Sequence, residues 1–138
     1  HVKSLTEAVS EGTSRMLNLL EKHDPNSASY LATFAFALAR VAYADNEVTE
    51  DERAEMHRIL KEFANLKDSE VEFIMEMSMM QKRAQVELSS DSPQQGFDGE
   101  RKQLLVSALY AIAEADGRVS EEELQEIHAI TTEFGLEQ

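Results

Sequence analysis

One helix–corner–helix unit is written twice in this chain, and that repetition limits the folds open to it. Leu38 corresponds to Leu109, Val41 to Ile112, Asp45 to Asp116, Val48 to Val119, Glu52 to Glu123, His57 to His128 and Phe63 to Phe134, always 71 positions apart. A register held through two helices and the corner between them predicts two pseudo-symmetric halves. Each half reads as an apolar helix, a tight acidic corner and an amphipathic helix.

Apolar residues recur at helical spacing, and only 2 Pro and 5 Gly interrupt them, so the fold class is all-α, a compact helical bundle. A first helix is expected over 4–22 (Leu5, Val9, Met16, Leu19, Leu20), stopping before Pro25. The segment "SYLATFAFALARVAYA", 29–44, is apolar nearly all round and reads as a central helix enclosed by others. A one-sided stripe of Met56, Ile59, Leu60 and Phe63 marks a covering helix over 50–65. A fourth helix, 68–88, starts at Asp68 and turns Val71, Ile74 or Met75, and Met79 inward. After a polar loop at 89–96, a second central helix over 98–115 carries Leu104, Leu105, Ala108, Leu109 and Ile112. The last helix, 121–134, repeats the one-sided stripe with Leu124, Ile127, Ile130 and Phe134. At 138 residues, 42% of them apolar, the whole chain reads as a single domain, with the repeat units at about 29–66 and 98–136.

Thirteen basic side chains face 27 acidic ones, a formal charge of −14 that repels phosphate backbones and anionic membranes. Cations, basic peptides and basic protein faces are the partners such a field attracts, and nucleic acid is not. No apolar run reaches the length of a membrane span, and residues 1–10 lack a signal-peptide core. The expected compartment is the cytoplasm. The chain begins at His1 rather than Met, which leaves room for a preceding segment or for membrane association through a partner. The absence of Cys excludes disulfides, thiolate metal sites and Cys nucleophiles.

Every residue type in the corners has a structural role. Asn46 and Gly117 stand just past a helix end, where a left-handed backbone is needed. Thr49 and Ser120 are N-caps, and Glu52 and Glu123 three residues later complete capping boxes. Val48 and Val119 precede the caps, where an apolar residue packs back onto the new helix. An EF-hand is excluded by position: with Asp116, Gly117 and Glu123 at loop positions 5, 6 and 12, the first ligand position falls on Ile112, and on Val41 in the other copy. Asp45 and Asp116 are left over. Each stands at a helix C-terminus, where the dipole disfavours an anion. Either their carboxylates accept amides of the following segment, or they form half-sites with Glu52 and Glu123, hard oxygen ligands suited to Ca²⁺, Mg²⁺ or Mn²⁺. Glu47, Glu50 and Glu121 deepen the negative potential as candidate contacts for a basic partner.

"ALARVAYADNEVTEDERAEMHRIL" and "ERKQLLVSALYAIAEADGRVSEEELQEIHAI" together resemble the tellurite-resistance TerB-like domain, whose hallmark is this doubled Ala-Asp-Gly-x-(Val/Ile)-(Ser/Thr)-x-x-Glu corner. The resemblance covers roughly 29–136, departing at Asn46, where Gly is usual. It implies a compact all-α bundle in a bacterial intracellular protein, with a cation-associated or protein-interaction role in stress response. The family's acidic positions fall on Asp45, Glu52, Asp116 and Glu123.

His57 and His128 lie five residues beyond Glu52 and Glu123, well apart from them around the helix, and read as partly buried or surface histidines. "MEMSMM", 75–80, reads as core or an adaptable docking surface. No nucleophile elbow, phosphate loop or hydrolase motif appears, so an enzyme is not expected. The expected function is a module that binds a divalent cation or a basic partner through its two corners. The alternative is a protein-interaction scaffold whose corners are purely structural caps. Homo-oligomerisation is left open.

Overall fold

The computed structural model describes residues 5–24, 28–45, 47–84, 99–115 and 117–135. Six helices account for them: α1 Leu5–His23, α2 Ala28–Ala42, α3 Glu50–Ala64, α4 Asp68–Ala84, α5 Gly99–Glu114 and α6 Glu121–Glu133. There is no strand among the described residues, and the expected all-α class holds. Observed and expected boundaries differ by one or two residues, except that α4 ends at Ala84 and the expected 85–88 extension lies outside the described residues. At the corners the helices close early, because their last amides switch to the tighter three-residue bond. Ala44 N donates to Val41 O at 3.2 Å, and Ala115 N donates to Ile112 O at 3.3 Å.

α2 organises the bundle. From Tyr30 to Ala42 it buries Tyr30, Leu31, Ala32, Phe34, Ala35, Ala37, Leu38, Ala39, Val41 and Ala42. Over that span only Thr33, Phe36 and Arg40, along one line, stay partly exposed, and elsewhere the helix packs against α1, α3, α4, α5 and α6. Its many alanines let neighbouring backbones approach closely on several sides. Arg40 is its one charged residue. Arg40 Nε donates to Glu126 Oε2 at 2.7 Å, and Nη1 and Nη2 fork onto Glu133 Oε1 and Oε2 at 3.2 and 2.8 Å, tying α2 to α6.

α5 buries Leu105, Ala108, Leu109, Ile112 and Ala113, but it is less enclosed than α2. Leu104, expected inside, is 37% exposed, and Leu124 on α6 is 45% exposed. Both miss their stripe by geometry. At about 100° per residue each sits a quarter-turn from the line of its buried neighbours, and on α6 that line starts at Glu123. Phe63 fails differently. It lies on the α3 stripe, yet its ring, edge-on to Phe34 at 5.6 Å, stays 44% exposed. Its counterpart Phe134 is buried, so the two halves differ in detail.

α1 contributes Met16 and Leu20 to the core, with Leu19 packed against it. The side chains of Leu5 and Val9 lie outside the described residues. On α4, Val71, Ile74, Met75 and Met79 are buried as expected, with Met77, Ser78 and Gln81. The "MEMSMM" run is therefore mostly core.

Because Arg40 is largely buried, Arg40→Ala should lower stability by about 2 kcal/mol in urea unfolding, since Glu126 is left half-buried and unpaired. Arg40→Lys should recover only part of this, because an ammonium cannot fork between two carboxylates.

Candidate functional site

Each corner is built from its caps outward. Thr49, with extended backbone (φ −77°, ψ 163°), accepts a hydrogen bond on Oγ1 from Glu52 N at 3.1 Å, and Thr49 N donates back to Glu52 Oε1 at 2.9 Å. Ser120 (φ −80°, ψ 159°) repeats the exchange: Glu123 N donates to Ser120 Oγ at 3.0 Å, and Ser120 N to Glu123 Oε1 at 3.0 Å. Both expected capping boxes are therefore formed. They draw Glu52 and Glu123 inward until each is only 2% exposed. One oxygen of each carboxylate is engaged by its N-cap amide. The other oxygen of Glu123, Oε2, is buried without a hydrogen-bond partner.

Gly117 has φ +80°, the left-handed conformation expected of it. Asn46 and Asp116 lie outside the described residues. Asp45 is exposed, and its Oδ1 accepts from Glu47 N at 3.2 Å, so the carboxylate closes a local turn over the end of α2. Among the described residues, no three His, Asp or Glu side chains converge where they could hold a metal ion. Each capping Glu is brought to its own N-cap.

The remaining corner acids, Glu47, Glu50, Asp51, Glu114, Glu121 and Glu122, are exposed. Glu50 and Asp51 stand in the first turn of α3, and Glu121 and Glu122 in that of α6, where the helix dipole favours anions. Apolar flanks differ between the corners. Val48 packs against the core, whereas Val119, expected to fold back onto α6, is 40% exposed. Val119 and Leu124 hold the positions just before the N-cap and one turn after it, so the second corner shows two apolar side chains framed by glutamates.

The histidines stand apart from both corners' capping groups. His57 is partly buried beside α4, with Nε2 3.7 Å from Asp68 Oδ1 and 3.6 Å from Glu72 Oε2, and His128 is exposed. Two features escaped the sequence reading. Arg40 carried a signal, as the single charge in an otherwise apolar helix. A groove of about 410 Å³ between the ends of α1, α2, α3 and α5, lined by Tyr30, Leu31, Phe63, Arg101 and Leu104 among others, carried none. It brings together residues as much as 81 positions apart in the chain, from His23 to Leu104. At its rim Arg101 stacks over the Tyr30 ring, 4.7 Å from the centroid, while Tyr30 donates its hydroxyl to Arg101 O at 3.1 Å.

Two helix–capped corner–helix units around a buried alanine-rich helix define the class of domain. Residues 31–138 match the family described as Tellurite resistance protein TerB, and the chain belongs to that family. No curated protein and no solved structure matches the chain. No helix among the described residues is long and apolar enough to cross a membrane.

Ser120→Ala should cost about 1 kcal/mol in thermal or urea unfolding through loss of the cap. Gly117→Ala should cost about as much, by forcing a Cβ into the left-handed region.

Proposed function

We propose that this TerB-family chain is a non-enzymatic interaction module that docks a basic protein segment on its acidic corner surface, with Glu52 and Glu123 serving as structural caps. The observation that carries this reading is the division of labour among the acids. The two capping glutamates are buried and bound to backbone amides, while Glu47, Glu50 and Glu121 are exposed. A carboxylate already accepting an N-cap amide has less to give a cation, whereas exposed glutamates around exposed Val119 and Leu124 suit a basic amphipathic segment. The apolar pair would supply affinity, and the acids association rate and orientation. The chemistry is attraction and burial, without bond making.

A second reading keeps the divalent cation. It is favoured by Oε2 of Glu123, which is buried without a hydrogen-bond partner. A carboxylate oxygen is a hard ligand of the kind that Ca²⁺, Mg²⁺ or Mn²⁺ takes.

Two titrations separate these readings. A Lys-rich amphipathic helical peptide, followed by amide chemical shifts, should perturb residues around Val119–Leu124. Binding should weaken about tenfold or more in Leu124→Asp or in Glu121→Lys with Glu122→Lys, and fall with added salt. Calorimetry and melting with millimolar Ca²⁺, Mg²⁺ and Mn²⁺ should show neither heat nor a shift. Cation heat that disappears in Asp45→Asn with Asp116→Asn would replace the peptide reading with the metal one.

A further inference from the structure

α1 packs against α4 and α2. Its outward residues Glu11, Ser14, Arg15, Asn18 and Glu21 are exposed, while Met16 and Leu20 are fully buried. Gly12 lies so close to α4 that a Cβ there would fall 1.9 Å from Met77 Cε. One residue further on, Thr13 Oγ1 accepts a 2.6 Å hydrogen bond from Gln81 Nε2.

Gln81 has no exposed surface, and its Oε1 has no partner. Ser78, next to Met77 on the same helix, is equally buried and its hydroxyl is also unpartnered. An apolar seam loses free energy when it opens. This one recovers part of that loss, because water reaches an amide oxygen and a hydroxyl that the closed state leaves unsatisfied. α1 precedes α2 in chain order, so its departure leaves every connection among α2–α6 intact. The family match begins at residue 31, beyond α1.

We propose that α1 is a detachable strap, which lifts from α4 and α2 as a unit while α2–α6 keep their packing with one another, and which uncovers the Met77–Ser78–Gln81 face of α4 and the side of α2 beneath it when it leaves. Gln81 and Ser78 set how readily it opens. Gly12 leaves room for the tip of Met77 between the two helices.

Amide hydrogen exchange on the full chain tests this, read at Met16 to Leu20, far enough from both helix ends that fraying does not contribute. These amides should exchange about tenfold or more faster than those at the centres of α2 and α4, with a weaker dependence on low urea. Replacing the polar pair by apolar groups, Thr13→Val with Gln81→Leu, should slow exchange in α1 alone. Gly12→Leu, which favours helix but crowds Met77, should speed it in α1 alone. Exchange of α1 at the same rate and with the same urea dependence as α2 and α4 would overturn the proposal. So would variants that shift all helices together. If α1 opens separately but Thr13→Val with Gln81→Leu leaves its rate unchanged, the role given to the polar pair is overturned.

Discussion

A helix that is apolar on most sides has to be enclosed, and the enclosure of α2 is the constraint on which the other five helices depend. Once Phe34, Leu38 and Val41 are all fully buried, covering layers are needed around most of the helix, and α1, α3, α4, α5 and α6 supply them. The corners follow from the same demand. A covering helix has to turn back sharply from the end of a central one, and a tight turn into a new helix leaves amides that need acceptors. Thr49 with Glu52 and Ser120 with Glu123 are those acceptors.

The acidity of the corners therefore has two origins that composition cannot separate. Glu52 and Glu123 are components of the fold, about as buried as Met56 and Ile127 one turn further on. Glu50, Asp51, Glu121 and Glu122 are exposed in the first turns of α3 and α6, where a negative charge is favoured. A chain of net charge −14 can present a strong field to a partner while spending none of its capping carboxylates on it. The second corner is the more suited to contact, because Val119 and Leu124 are exposed there, whereas the first corner folds Val48 against the core.

Much of this was legible because it is local. Helix positions follow from the spacing of apolar residues, and both capping boxes follow from Thr or Ser with Glu three residues on. Whatever depended on distant neighbours was not legible. Phe63 and Phe134 occupy matching positions, yet one is exposed and the other buried. Leu104 and Leu124 look like stripe residues in one dimension and lie a quarter-turn off it in three. Asp45 was left between two roles, and its bond from Glu47 N is one a sequence can suggest but not select. Its counterpart Asp116 lies outside the described residues, so the cation question rests with measurement.

The Arg40 fork joins residues 86 and 93 positions apart, across most of the chain. A contact of that span closes a very large loop, so it forms only after α2 and α6 have been brought together by the core between them. The fork is therefore expected to be largely unformed in the folding transition state, so that its loss would show as faster unfolding more than as slower folding.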